Sequence, residues 1–545
     1  MAKGYRPVDR DQPFLFPPDM REWLGPDHPV WLVIGVVEDH LDTSAFHACR
    51  KTGGAGAAGY DPDMLVSVLV WAYAHGVRSS REIERLCATD VAFRVICAGN
   101  LPDHATVARF RAQFPGAVAV FFAQVLALCA RLGMGKLGTV ALDGMKIAAS
   151  ASKAANRTED GLRKLAEQAV AAHAATDAAE DELFGAGRRG DEVPEEAWSP
   201  RRRDERIRRA LAELEAERTA AQAAEQARAE AYRVRRRAGE RAGCPPASVA
   251  VEMAQENLAQ VRARQQATIE DWHARNAASL AATGHPLRGC PPVPADRHCR
   301  VKQAEAKLAA TKARAAEAGR KAAAREANRK GPGPVRNITD PDSRLMPVRG
   351  GGFIQGYNAQ NVTGEDGLII ATELTDDPVD GAWFGPMLAK AAGAAALIAA
   401  HRPAAGPEPD GIGLALAYAG YCSQANLTCP GPDRLIAVGK GRDLEKAARD
   451  PDGNGPGWGG PAIQAMRERL KTPAGIAAYR QRGHIAETPH GHIKHNMGLR
   501  QLSVRGKRKA AAEWTFAAAV HNLLKALTAG QLTSQALAAL TQTPA

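Results

Sequence analysis

The sequence predicts an α/β fold with its core in two pieces, a helical region ahead of it and a long helical insertion between the pieces. Three observations carry this reading. Apolar runs of strand length recur at separated places: "LGTVALDGMKIAAS" at 137–150, "GLIIATEL" at 367–374 and "GIGLALAYAGY" at 411–421. From about 155 to 335 the composition shifts to Ala, Arg, Glu and Gln. Before 135, apolar residues fall at helical spacing. Strands separated by helices, with one helical interruption, describe a split α/β core. The expected boundaries are 1–135 for the helical region, 136–154 for the first core piece, 155–335 for the insertion, 336–530 for the rest of the core and 531–545 for a tail.

In the first region "DPDMLVSVLVWAYAHGV" follows a turn and reads as a helix. Shorter helices follow, broken at Gly99-Asn100 and Pro102-Asp103, with Ser79 or Ser80 as a cap and Glu82 in the opening turn. A helix beginning near His104 would present Arg109 and Arg111. Short helices with a basic last member suit a helix-turn-helix DNA reader, and an ordinary helical bundle fits the same spacing.

In the insertion, Val251, Ala254, Leu258, Val261, Gln265, Thr268 and Trp272 follow a three–four alternation, the seam of a coiled coil or helical hairpin that Gln265 and Thr268 weaken. Ile207, Leu211 and Leu214 fall on one side of a neighbouring segment. Proline breaks divide the region into three or four helices. They read as a partner- or DNA-facing arm, or as solvated charged helices. Beyond it, "GGFIQGYNAQNVT" alternates like a half-buried strand, helices fall around 383–400 and 509–527, and "RDPDGNGPGWGGP" is a loop by composition. Trp514, Ala517, Val520 and Leu524 form a core stripe, and Trp383 and Phe384 read as packing aromatics before stacking ones.

Formal net charge is +11 with a pI near 9.3, which favours polyanionic partners. Nine cysteines without a CxxC pair read as reduced thiols in a cytosol. The opening residues carry no apolar signal core, and the most apolar stretch, 117–130, is too short to span a bilayer. No membrane association is expected.

The richest chemistry lies in "HIAETPHGHIKH" at 484–495, four histidines around Glu487. A closed zinc site would need four tightly set N or S donors, and the nearest cysteines, Cys422 and Cys429, belong to another element. The glutamate is the stronger candidate. Seven residues separate it from Lys494, close to two helical turns, and Tyr479 and Arg482 precede it. Pro489 and Gly491 suit a helix only near its first turn. Upstream, Asp143 ends the first strand, followed by Lys146. Arg505, Lys507, Arg508 and Lys509 form a basic cluster suited to phosphates.

Six stretches, "LPDHATVARFR", "ALDGMKIAASAS", "TDPDSRLM", "GYNAQN", "AGYCSQANL" and the run from "YRQRGHIAETPHGHIKH" to "HNLLK", resemble in order those of an insertion-sequence transposase with an RNase H-like DDE catalytic domain. The resemblance implies a two-metal mechanism with magnesium, or manganese in its place. It makes Asp143 the first metal ligand and Glu487 the last, with Tyr479, Arg482 and Lys494 against the end DNA; apart from the resemblance, Arg109 and Arg111 are DNA contacts on the helix-turn-helix reading, and Lys146 reads as a DNA contact or as a solvated strand-end lysine. The resemblance also implies terminal inverted repeats and target DNA as partners, at least a dimer on DNA, and a bacterial cytoplasmic, nucleoid-associated setting.

The pattern breaks at "LAYAGYCSQ", where Tyr418 stands in place of the second aspartate. A neutral phenol is a poor magnesium ligand. Asp410 lies eight residues earlier on the same strand, roughly 26 Å away. Asp376, Asp377 and Asp380 follow a neighbouring apolar run and could lie near the site, although nothing in their spacing demands it and loop acids at a turn are ordinarily structural. The expected outcome is a transposase with impaired strand cleavage. Two alternatives are an inactive DNA-binding remnant and a helical scaffold that binds a partner through its coiled-coil region.

Overall fold

The computed structural model describes residues 19–48, 59–168, 171, 199–239, 244–327, 335–348, 351–403, 411–439 and 460–542. The glycine-rich loop at 449–461, apart from its last two residues, and Asp410 lie outside these. The chain falls into two compact units, Met1–Asn156 with Arg336–Ala545, and Arg157–Val335.

The first unit is built on a six-stranded sheet. Its strands are β1 (Thr139–Ala148), β2 (Arg344–Pro347), β3 (Phe353–Gly364), β4 (Ile369–Thr375), β5 (Leu414–Ala417) and β6 (Asp433–Ile436). β1 is central: β3 runs antiparallel along one side and β5 parallel along the other. β2 and β4 share the far edge of β3, and β6 extends the sheet parallel to β5. The four-residue β6, preceded by "PGPD", is too short to show a period and was not expected. The alternation in "GGFIQGYNAQNVT" implies one wet face, yet β3 is buried from Gln355 to Gly364. Its polar side chains are there because they have partners: Asn361 accepts from Thr372 Oγ1 at 2.6 Å, while Asn358 and Gln360 serve the site below.

Eight helices position the site: α1 (Pro62–Ala74), α2 (Ser80–Thr89), α3 (His104–Gln113), α4 (Pro115–Arg131), α5 (Phe384–His401), α6 (Pro461–Lys471), α7 (Pro473–Gly491) and α8 (Lys507–Thr528). The Ser79 hydroxyl does not cap α2, whereas Asp103 caps α3 by accepting from Thr106 N. α8 is buried nearly all round, and Trp514, Ala517 and Val520 lie in the core with Leu524 partly covered. The Trp514 indole donates to Thr372 Oγ1 at 2.8 Å, tying α8 to the sheet. Phe516 stacks on Phe121 of α4 and meets Tyr73 of α1 edge-on, so the N-terminal helices share one core with the sheet. Phe384 is fully buried. The stretch Gly381–His401 is long and apolar enough to cross a bilayer by composition. Phe384, Met387, Leu388, Ala391, Ala395 and Ile398 are nevertheless buried in the protein, as in a core helix.

The second unit carries three long helices, Ser199–Arg237, Ala247–Thr283 and Cys299–Ala327. Leu258 packs with Val301 and Ala304, and Ala229 and Tyr232 pack with Val249. Gln265 is buried in the seam because its amide donates to Val293 O at 2.7 Å. Thr268 is exposed, so the seam opens beyond Gln265. Exposed ion pairs such as Arg262–Glu305 (2.5 Å) add little stability.

Candidate active site

β1 and β5 are parallel with Leu142 opposite Ala417, so Asp143 and Tyr418 come next on neighbouring strands. β5 ends there, whereas β1 runs on to Ala148, so Asp143 lies within its strand opposite Asn361 and not at the strand's end as expected. Helix α7 packs on this end of the sheet and brings Arg482 and Glu487. The Arg482 guanidinium lies 3.5 Å from Asp143 Oδ2 and 3.1 Å from Glu487 Oε1, joining two acids 344 positions apart in the sequence. Burial raises the Asp143 pKa to about 6; Arg482 and the Gly144 N–H oppose the rise, while Glu487 and Asp380 add to it. Glu487 is mostly exposed, so the pair has a solvent side.

Asp380 completes the group: of the three acids after β4 that could lie near the site it is the one hydrogen-bonded to Tyr418, although spacing did not single it out. Oδ1 accepts from Asn358 Nδ2 (2.6 Å), Gln360 Nε2 (2.7 Å) and Lys146 Nζ (3.2 Å), and Tyr418 Oη donates to Oδ2. Burial raises its pKa, but the bonds from Tyr418 and Asn358 and the Lys146 charge outweigh that, and the net shift is downward. Burial, with the Asp380 bond and charge, pushes the Tyr418 phenol well above its usual range. Tyr421 donates to Gln360 Oε1 and closes the wall behind. Gly144 is required here: a Cβ on it would stand 2.5 Å from Gln360 Nε2 and 2.6 Å from Asp380 Oδ1.

The segment 484–495 is helical to Gly491, with Pro489 in the last turn of α7 and not the first. A π-helical turn, His492–Asn496, follows it directly. That change of pitch breaks the simple two-turn spacing between Glu487 and Lys494, although both act electrostatically on His490. The four histidines scatter. His484 is exposed, His490 is buried, His492 Nδ1 meets His521 Nδ1 at 3.0 Å, and His495 pairs with Arg500. They do not converge on one point.

The basic residues divide. Arg109 is exposed on α3. Arg111 does not face solvent: it donates to Arg78 O (2.7 Å) and Ser503 Oγ (3.1 Å) and lies 4.0 Å from the buried Glu513. Its helix position explains this, since it falls four residues after the buried Val107 and next to the buried Phe110. Lys146 is likewise turned inward onto Asp380. Tyr479 is half-buried beside Arg482 and Asp143. Of the basic cluster, Lys507 pairs with Asp376 at 2.7 Å, Arg505 donates to Ser150 O, and Arg508 and Lys509 are exposed.

Two segments match known families. Residues 461–527, which contain Tyr479, Arg482, Glu487 and Lys494, match a family described as "Transposase DDE domain". Residues 18–113, which contain Arg109 and Arg111, match one described as "Transposase domain (DUF772)". The chain matches no curated protein and no solved structure. The DDE-domain match in a mixed α/β protein supports a DNA strand transferase family. In particular, the two transposase-domain matches indicate an insertion-sequence transposase.

DDE transposase domains generally use divalent metals. On the Asp143–Glu487 side the donors are of the kind that suits such a cation. Both carboxylates offer hard oxygens; Asp143 accepts one backbone N–H, and Arg482 lies between the two. Asp380 suits that role less, because three donors, one of them the Lys146 ammonium, already crowd its Oδ1 and the Tyr418 hydroxyl is on its Oδ2.

Proposed function

We propose that this transposase binds the ends of its own element with an RNase H-like core. In this reading Asp143 and Glu487 are the retained acids and Tyr418 stands where the second aspartate would be. The observation that carries it is the register of β1 and β5, which sets Asp143 beside Tyr418 while Arg482 reaches from Asp143 to Glu487. A mixed sheet with the first acid on its central strand supports the core assignment. The reading keeps the domain division stated above, with 155–335 as a helical insertion and the helices before 135 as a DNA-binding region that presents Arg109. Tyr479, Arg482 and Lys494 contact the end DNA. Joining two ends calls for at least a dimer, working on terminal repeats and target DNA at a bacterial nucleoid.

Asp143 and Glu487 would hold magnesium, or manganese in its place, which when bound supplies Lewis-acid polarisation and an activated water. This chain's own groups do the rest. Arg482 presents a guanidinium that can turn from the carboxylates to a phosphate, and Tyr479 walls the pocket. Tyr418 adds no charge, and its proton is committed to Asp380. Strand cleavage is therefore severely reduced while fold and DNA binding persist.

The test is purified full-length protein with duplexes ending in the element's inverted repeats. Salt-dependent, end-specific binding is expected, with magnesium-dependent nicking weaker than that of an intact DDE site by more than the ~10–100-fold loss typical of an outer-shell defect. Nicking at ordinary rates would overturn the impairment, and binding without end preference would overturn the whole reading. A second reading, a remnant that occupies ends without cutting, is favoured by the Tyr418–Asp380 bond and requires no nicking with either metal.

A further inference from the structure

We propose that the Tyr418 corner is closed to metal, so that this chain takes one divalent cation, between Asp143 and Glu487, where its family's mechanism uses two. The inference rests on the carboxylate assignment above and deepens it. A missing ligand could leave an open, negatively charged pocket that other acids or water repair. The arrangement here is different: the corner is filled and neutralised from within.

The first argument is hydrogen-bond capacity. A carboxylate accepts at about four lone-pair sites. On the buried Asp380, Asn358, Gln360 and Lys146 crowd three donors onto Oδ1, and the Tyr418 hydroxyl takes one of the two sites on Oδ2. For a cation to bind through Oδ1, one of these donors must lose its acceptor inside the protein, at a cost of about 1–3 kcal/mol and more for the Lys146 ammonium, and the approach to Oδ2 is shared with the Tyr418 phenol. Rotating Tyr418 away offers no easy exit, since its ring lies against Gly420, where an added Cβ would be 2.5 Å from the phenol oxygen. Asp143 carries no such burden, with one backbone N–H and a guanidinium at 3.5 Å.

The second argument is charge. Asp143, Asp380 and Glu487 set three negative charges against the two positive charges of Lys146 and Arg482, leaving one negative charge uncompensated. One divalent cation together with one phosphodiester brings that cluster to neutrality. A second divalent cation leaves two positive charges in a pocket where burial already disfavours net charge. Lys146, inside the protein, supplies the charge that a second ion would bring to the Asp380 corner.

The experiment counts ions on the full-length chain without DNA, titrating Mn2+ and reading free ion by electron paramagnetic resonance. Thermal melts check that each variant folds. Wild type is expected to bind one ion per chain. Asp143→Asn should weaken that ion at least ~10-fold. Tyr418→Phe should remain at one, because Lys146, Asn358 and Gln360 still hold Asp380. Tyr418→Asp adds a carboxylate to the same corner and should gain a second, weaker ion. Two ions on wild type, a second ion appearing in Tyr418→Phe, or an ion lost in Asp380→Asn but kept in Asp143→Asn would overturn the inference. So would no ion at all, an outcome that leaves the end-binding test of the proposed function standing.

Discussion

Asp143 and Asp380 are carboxylates at one end of the same sheet, close enough for each to feel the other's charge, yet they have opposite environments. Asp380 sits in a lattice of donors with a lysine and is held below the usual carboxylate range. Asp143 has a single N–H and a more distant arginine, and burial lifts it to about 6. Burial alone would raise both; the partners decide the sign. A buried acid that is satisfied by its own chain is architecture, and one left short of partners keeps capacity for a ligand from outside.

The largest effect should come from cutting the satisfied corner. Asp380→Ala leaves the mostly buried Lys146 ammonium and the amides of Asn358 and Gln360 without their acceptor. Breaking a buried pair on one side costs about 3–5 kcal/mol. A urea-unfolding midpoint close to wild type for Asp380→Ala would erase the distinction between the two acids.

A smaller effect, of opposite sign in the two corners, is expected from pH. Asp143 in the metal-free fold binds its proton more tightly, at about 6, than at its ordinary value of 3.8. Between those values the folded state holds more protons than the unfolded chain, so this group's contribution to stability falls as pH rises from about 4 to 6. For Asp380 the folded value is depressed. Its contribution is present above the ordinary carboxylate value and is lost as pH falls through the folded one. Stability of wild type relative to Asp143→Asn, measured in chelator, should therefore drop by up to roughly 3 kcal/mol between pH 4 and 7. A flat difference would show that Asp143 is better solvated than its burial implies.

Much of this site could be read from residue order. The apolar runs around 137–150 and 411–421 became neighbouring parallel strands, which is why motif position alone set Asp143 next to Tyr418. Asp380 was legible only as one of three acids able to lie near the site, because its exact place depends on residues 376–380 turning back from β4 to reach Asn358 and Gln360, a path with no period in the sequence. The available signal was "YNAQN", three amides in a strand interior, which in a buried strand must each find a partner. The sheet outline followed from β-rich apolar runs, whereas the four-residue β6 and the π turn after α7 arise from tertiary packing.

Helix α3 carries the same contrast between satisfied and unsatisfied charge into the DNA-binding question. Arg111 is committed to Arg78 O, Ser503 Oγ and the field of Glu513, so Arg111→Ala should cost roughly 2 kcal/mol of stability through lost charge-assisted bonds. Arg109, two residues earlier, is exposed. Arg109→Ala should move stability by no more than about 0.5 kcal/mol. If Arg109 meets a phosphate, the slope of log affinity against log salt should fall by about one, uniformly across DNA sequences. The two substitutions differ by two positions on one helix, so global damage to α3 would move both readouts together. A salt slope that changes in Arg111→Ala at unchanged stability, while Arg109→Ala leaves the slope alone, would reverse the assignment and place the DNA on the other face of α3.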